Sequence, residues 1–315
     1  MDERLLKRRI QIAISVSIAA VLLLVIQFGR PSPSGLWMST LYESMHVLLF
    51  GLIALCVIVA TPHHWKRRKR LAFMIGTVFA LSLLSEAAQI PLDRDASMED
   101  LIADWLGAAG FASIAIAFSN SFRMSGAVRK ALAVGGIAVL TWALFPLAKV
   151  SAAYIERNQQ MPELVNFDAR FNSTFMRTQN VTLTRQSRSS SGGTSAHVLL
   201  EDGPWPGVLF HDLYPGWHDF EALVIELENP EATVLNLNVR VDDDEHRFGE
   251  QHYSDRYNLP FELQPGVETL RIPVSDIADA PAKRQMDLSS IDGIVVFGVR
   301  KDAGRTFIIH SIRLE

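Results

Sequence analysis

The chain has 315 residues, 49% of them hydrophobic, and carries 30 Lys and Arg against 34 Asp and Glu, a formal net charge of −4. That balance gives no support to a nucleic-acid-binding role, which calls for a strongly basic surface. The mean hydropathy of +0.16 averages a very apolar front half and a polar back half.

In chain order, apolar runs occupy residues 10–28, 45–61, 71–90, 101–119 and 131–148. Each approaches or reaches the roughly 17–25 residues that a membrane helix needs, and nothing after residue 148 does. The sequence therefore predicts five transmembrane helices followed by a polar half. The first run lacks the small-residue cleavage site of a signal peptide and is followed by further spans, so it reads as a retained anchor.

Basic residues set the orientation. Arg4, Lys7, Arg8 and Arg9 precede the first run, Lys66 to Arg70 separate the second from the third, and Arg123, Arg129 and Lys130 separate the fourth from the fifth. If the spans alternate, all three groups share one side, and the opposite connections hold only Arg30 and Arg94. The positive-inside rule then puts the N-terminus in the cytoplasm and the C-terminal half in the periplasm or outside the cell. The basic group after His63 could also meet anionic headgroups, although fixing topology accounts for it. The single cysteine, Cys56, lies in the second run, so the exported half has no disulfide, a pattern of bacterial inner- or plasma-membrane proteins with a periplasmic or surface domain.

Between the third and fourth runs lies a polar stretch. Glu86 and Gln89 share a face near the outer end of the third span, and Asp100 and Asp104 share one at the outer start of the fourth. Carboxylates so near hydrocarbon are costly and are usually functional. His46 enters the second span at a similar depth, Arg94 can offset the carboxylate charge, and Ser97 can shape the turn. Gly107, Gly110 and Ala103 offer small surfaces for close helix approach. The candidate ligand-binding set is His46, Glu86, Gln89, Arg94, Ser97, Asp100 and Asp104. Asp100 equally fits a helix N-cap, and a lone His such as His46 is more often a structural histidine, whereas Glu86, a turn inside the apolar run, must find a partner.

At these positions the sequence resembles the VanZ-like family of small bacterial membrane proteins. The family's Glu and Gln three apart, then Arg, Ser, Asp, an Asn or Asp, and Gly, are matched by Glu86, Gln89, Arg94, Ser97, Asp100, Asp104 and Gly107, and its upstream His by His46. The resemblance covers about the first 120 to 150 residues. It departs where Tyr42-Glu43 replaces the family's Asp-Lys pair, where Asp104 stands for a frequent Asn, and where the second glycine shifts to Gly110. It implies a cell-envelope membrane protein related to one associated with resistance to the glycopeptide teicoplanin.

The domain boundaries expected are 1–150 for the membrane part, 151–164 for a connector or a prolonged last helix, and 165–315 for the exported part. In the last, Leu235, Leu237, Val239 and Val241 alternate with Asn236, Asn238 and Arg240, the period of a half-buried strand. Strands are expected at 174–184, 197–200, 208–213, 223–227, 235–241, 269–274, 294–299 and 306–314, with turn signals at Asn229-Pro230, Gln264-Pro-Gly266 and 301–304. So many short strands suit an all-β jelly-roll sandwich. The stretches Tyr214-Pro-Gly-Trp217, 220–230, 239–243, Asp255-Arg-Tyr-Asn258, 263–266, Ile272-Pro273 and 309–314 resemble the galactose-binding-like jelly rolls of carbohydrate-binding modules.

Trp205, His246, Tyr253, Arg256 and Tyr257 are the candidate glycan contacts, since aromatic faces stack on sugar rings and Arg satisfies hydroxyls; packing is the competing role. Trp217 belongs to the core. Asp242, Asp243 and Asp244 could ligate calcium, the one cofactor considered, or form an acidic turn. There is no nucleophile elbow, Walker loop, zinc spacing or dinucleotide fingerprint. The expectation is a non-enzymatic protein of the bilayer that meets envelope polysaccharide or a peptidoglycan precursor. The enzyme alternative is acid–base chemistry at His46, Glu86 and Asp104 on a lipid-linked glycan, and the blandest one is an envelope scaffold.

Overall fold

A computed structural model describes residues 3–28, 35–62, 64–89, 98–122, 124–188 and 192–315, without the side chains of residues 3–9, 25–28 and 89. The chain divides into two units, Met1–Val150 and Ser151–Glu315.

The first unit is helical: α1 (Glu3–Phe28), α2 (Leu36–Ala60), α3 (Arg67–Gln89), α4 (Met98–Phe118) and the first part of α5 (Gly126–Gln160). Among the described residues four helices, α2 to α5, are long and apolar enough to cross a membrane. For α1 the described apolar part is Ile10–Leu24, and the expected fifth span is not confirmed. Helix α3 is inverted relative to a water-soluble helix. Ser82, Ser85 and Glu86 lie on its buried side, whereas Ile75, Phe79, Leu83 and Leu84 point outward. That is the arrangement a hydrocarbon surround would call for, because outward polar groups would go unpaired there.

Phe50, Ile53, Ala54 and Val57 of α2 pack with Met74 and Val78 of α3 and Ala108 of α4. Small residues set the spacing: a Cβ added to Gly107 would stand 2.0 Å from the Val47 carbonyl oxygen, so α2 and α4 meet backbone to backbone. Gly110 and Gly136 do the same between α4 and α5, a Cβ on Gly136 falling 2.8 Å from the Gly110 carbonyl.

In the second unit the last turns of α5 continue well past the apolar run, through the good helix formers Ala152, Ala153, Glu156 and Arg157. The Tyr154 hydroxyl donates to Asp212 Oδ1 at 2.6 Å, and Glu156 accepts from the amides of Arg170 and Phe171 at 3.1 and 2.8 Å. Eleven strands follow: β1 (Glu163–Val165), β2 (Met176–Gln179), β3 (Val181–Ser187), β4 (Thr194–Leu200), β5 (Gly207–His211), β6 (Ala222–Asn229), β7 (Leu235–Asp243), β8 (Tyr257–Leu263), β9 (Gly266–Pro273), β10 (Ile291–Phe297) and β11 (Thr306–Leu314). Short helices α6 (Asp244–Phe248) and α7 (Val274–Ala278) follow β7 and β9.

These form an antiparallel sandwich of the jelly-roll kind. One sheet has the order β3-β4-β11-β6-β9, with β1 added beside β11; the other has the order β2-β5-β10-β7-β8. Alternation places Val208, Phe210, Leu237, Val239, Ile294 and Val296 inward from the second sheet, against Val198, Ile225, Phe307 and Ile309 of the first. Trp217 lies in this core, its indole N–H donating to the Tyr214 carbonyl at 3.0 Å.

The expected strand at 174–184 is two strands, broken at Asn180, whose φ of 49° turns the chain out of extended geometry. Strand β8 falls where none was expected. It holds Pro260, which lacks the donor a ladder needs, and it is tolerated because β8 forms the edge of its sheet.

Candidate functional site

Among the described residues, one place in each unit gathers several of the chemistry-bearing side chains singled out in the sequence. In the helical unit the site lies inside. His46 of α2, Glu86 of α3 and Asp104 of α4 are 5%, 3% and 0% exposed, and one ligand-type atom from each lies within 4.8 Å of the others. His46 Nδ1 and Asp104 Oδ1 are 2.9 Å apart, and the Ser82 hydroxyl donates to Asp104 Oδ2 at 2.7 Å.

The helical repeat explains the convergence. Ser82 and Glu86 stand four apart on the buried face of α3, and the Gly107 contact holds α4 against α2 so that Asp104, almost one turn earlier, faces His46. Chemically the trio can hold a proton between imidazole and carboxylate, or bind a cation.

Asp100 does not join the trio. It is half-buried one turn before Asp104 and lines a cavity of about 260 Å³ with Glu43, Glu99 and Trp142. Arg94, Ser97 and the side chain of Gln89 lie outside the described residues. Ser82 was missed by the sequence reading, although its position one turn before Glu86 was the available signal.

In the sandwich the site lies outside, on the exposed face of the second sheet. Strand register lines up Arg177 of β2 with Leu209 of β5, Leu209 with Val295 of β10, Val295 with Arg240 of β7, and Arg240 with Asn258 of β8. A second row runs through Gln179, Gly207, Phe297 and Asn238. Together these rows floor a groove of about 750 Å³, apolar in the middle and polar on its flanks. Gly207 keeps the floor low, since a Cβ there would meet the Val296 carbonyl oxygen at 2.5 Å.

Two aromatic rings stand beside this floor. Trp205, just before β5, is 64% exposed and meets Phe297 edge-on at 5.9 Å; Tyr253, just before β8, is 69% exposed. Trp205 has a φ of 52°, a left-handed conformation that costs a bulky residue about 1–3 kcal/mol. Arg256 lies 5.4 Å from the Tyr253 ring and donates to Asn258 Oδ1 at 3.1 Å, while the Asn258 amide donates to the Tyr253 carbonyl at 3.0 Å.

The lining holds Arg177, Arg240 and Arg256 and no carboxylate among the described residues; Arg240 is paired nearby with Asp242 at 2.7 Å. Burial and the adjacent Arg240 charge draw Arg256 below the usual guanidinium range, as expected where positive charges crowd.

Arg284 braces the Tyr253 turn from below, donating to Asp255 Oδ1 at 2.7 Å and to both oxygens of Asp243 at 2.6 and 2.8 Å. The Arg284 hydrogen bond holds Asp255 below the usual carboxylate range. Burial pushes the Asp243 carboxyl up, yet Arg284 and the amides of His246 and Asp287 outweigh it and hold it below that range.

Two glycan candidates are not in the groove. His246, the second residue after the β7 acidic turn, is wholly buried; Asp243 caps α6 by accepting the His246 amide, which turns the ring inward. Both ring nitrogens are without a hydrogen-bond partner, and burial lowers the imidazole pKa. Tyr257 faces the core, because its neighbour Asn258 takes the outward position on β8.

Nor do Asp242, Asp243 and Asp244 form a common cation cage. The oxygens of Asp242 accept from Arg240, those of Asp243 from Arg284 and two amides, and Asp244 stands apart at the start of α6. Arg177, Gln179, Asn238, Arg240 and Asn258 were missed as site residues. The alternation of β7 had already put Asn238 and Arg240 outward, but their meeting with β2 and β8 requires the strand order.

No family model matches the chain, and no curated protein does. Solved structures similar to it include an exo-β-agarase, at 13% identity over 49% of this chain with a TM-score of 0.39; the match spans only 24% of the agarase's length. Another is the family 11 carbohydrate-binding module from Clostridium thermocellum in complex with a β-1,3-1,4-mixed-linked tetrasaccharide, at 12% identity over 49% of this chain and 94% of the module, TM-score 0.37. A third is the CBM22-1-GH10 portion of xylanase 10B from the same organism, complexed with xylohexaose, at 11% identity over 49% of this chain and 28% of that one, TM-score 0.33. The sandwich described above rests on its own strand pairing.

Proposed function

We propose that the protein is a bacterial cell-envelope membrane protein whose jelly-roll unit binds an acidic envelope polysaccharide in the groove on its second sheet. The observation that carries this reading is the pairing of two exposed aromatic rings, Trp205 and Tyr253, with a floor that presents Arg177, Arg240, Arg256, Asn238 and Asn258 and no acid. Aromatic faces take the apolar faces of sugar rings, amides satisfy hydroxyls, and guanidinium groups pair bidentately with carboxylate or sulfate. The helical unit is the anchor, with five spans if α1 crosses, and the basic residues of its connections favour a cytoplasmic N-terminus and an exported sandwich.

Full-length protein in detergent micelles, passed over immobilised alginate, polygalacturonate, xylan and mixed-linked β-glucan, tests the ligand class. Retention on the acidic polymers that weakens as salt is raised is the expected result. Equal retention on all four, or on none, would remove the reading.

The convergence of His46, Glu86 and Asp104 favours a second reading for the helical unit, in line with its VanZ-like resemblance: a site for the headgroup of a lipid-linked glycan or a glycopeptide-like molecule, with acid–base chemistry as its enzymatic form. Glu86→Gln keeps the shape and removes the charge. Loss of a wall-antibiotic or precursor-turnover phenotype in that variant at undiminished protein level supports this reading, and a silent variant counts against it.

A further inference from the structure

His46, Glu86 and Asp104 come from three different helices, are each more than nine-tenths buried, and offer one nitrogen and two carboxylate oxygens within 4.8 Å of one another. No other group of three His, Cys, Asp or Glu among the described residues converges in this way. Packing alone does not call for it: an apolar trio would fill the same space without the desolvation that two buried carboxylates incur. Each of the three is a metal-ligand type. The donor mixture also discriminates among metals. Calcium takes six to eight oxygens, which this set does not supply, whereas an imidazole nitrogen with carboxylates suits a borderline divalent ion of the zinc class.

The surroundings are those of a coordination site as well. The Ser82 hydroxyl engages Asp104 Oδ2 at 2.7 Å, which leaves Oδ1 turned to His46 at 2.9 Å. Such outer hydrogen bonds orient ligating carboxylates and usually change metal affinity about 10–100-fold when removed. The Gly107 contact with the Val47 backbone fixes the distance between the helices that carry His46 and Asp104.

We propose that His46, Glu86 and Asp104 bind one zinc-class divalent cation between α2, α3 and α4, with Ser82 as a positioning residue. Binding engages neutral His46 through Nδ1, with its ring proton on Nε2, and ionised Glu86 and Asp104, and any further proton carried by the three groups leaves to solvent. Three protein donors leave a fourth position open, the pattern of catalytic rather than structural zinc sites. This site is independent of the glycan groove.

The test uses full-length protein purified in detergent without a histidine tag, stripped with chelator, and titrated with Zn2+ and Co2+. One metal per chain by elemental mass spectrometry is expected, with visible Co2+ absorption of low-coordinate intensity and a rise in melting temperature on adding Zn2+. Glu86→Gln and Asp104→Asn should each lose the metal and the Zn2+-dependent rise, and Ser82→Ala should keep one metal at about 10–100-fold weaker affinity. A wild-type chain that retains less than about a tenth of an equivalent, shows no Co2+ spectrum and has the same melting temperature with and without Zn2+ would overturn the proposal. Undiminished binding in Glu86→Gln, which changes only one oxygen to an amide, would overturn it too.

Discussion

The two units of this chain place their polar side chains differently. In the helical unit the polar groups, Ser82, Ser85, Glu86, Asp104 and His46, are inside, and leucines, isoleucines and phenylalanines cover the outside. In the sandwich the inward positions are valine, leucine, isoleucine and phenylalanine, and the arginines and amides stand on the outer face of the sheet. Each limits the cost of an unpaired polar group, by gathering such groups between helices in one case and by leaving them on the outer sheet face in the other. The lesson is where to look for function: between helices in the first unit, and across a strand row on the exposed sheet face in the second.

The contrast breaks most readily at Gly107. Gly107→Val would drive a side chain into the Val47 backbone, which cannot give way as a flexible side chain can, and should cost more than about 3 kcal/mol. The checks are melting in detergent and the loss of folded yield; an exposed-face change such as Ile75→Ala on α3 should cost far less in both.

Next in size is the brace of the sandwich. Arg284→Met leaves the fully buried Asp243 carboxylate with two backbone amides but no counter-charge and should destabilise by about 3 kcal/mol, read from denaturant unfolding. Its pH dependence has a definite sign. Asp243 and Asp255 have lowered pKa values in the folded state, so the unfolded chain binds more protons in acid, and their stabilisation, full above the ordinary value of 3.8, is lost as pH falls below it. In Arg284→Met that acid limb should be shallower than in the wild type. Asp292, pushed up to about 6 by burial, acts in the opposite sense, losing its contribution as pH rises towards that value, and is unaffected by this substitution.

A smaller effect, confined to binding, is expected at the groove. Trp205→Ala should weaken acidic-polysaccharide binding by at least about tenfold, or 1.4 kcal/mol, with little effect on stability, because the ring is largely exposed and makes one edge-on contact with Phe297. Titration calorimetry paired with melting separates the two.

The smallest change sharpens the rule for the sandwich interior. His246→Leu replaces two buried nitrogens that lack a hydrogen-bond partner, one of them 3.6 Å from Asp255 Oδ2, and should stabilise by about 1 kcal/mol. Since burial lowers the His246 pKa, its wild-type contribution is lost as pH falls below the ordinary value of 6.5, and that component should vanish in the variant.

Much of this was legible in the chain itself. Run length marked the helices, and period two marked the strands from β4 to β7 and from β9 to β11. Strand β8 was hidden by Pro260, whose meaning depends on the strand being an edge. The helical trio was legible because charge beside hydrocarbon is rare enough to notice, whereas Ser82 carries no such mark. On the sandwich, Trp205, Tyr253 and Arg256 stood out as aromatic or basic residues near turns. The row from Arg177 to Asn258 did not, because register joins residues far apart in sequence. His246 and Tyr257 were misread for a local reason: each is one position from a side chain or cap that takes the outward or capping role, and one residue reverses the face.

Hydrogen–deuterium exchange on the full-length protein in micelles, with and without an acidic oligosaccharide such as oligogalacturonate, tests the central claim most directly. Protection concentrated in β2, β10, β7 and residues 253–258 is the predicted result. Protection confined to the opposite sheet, β3-β4-β11-β6-β9, or no protection at saturating ligand would contradict it.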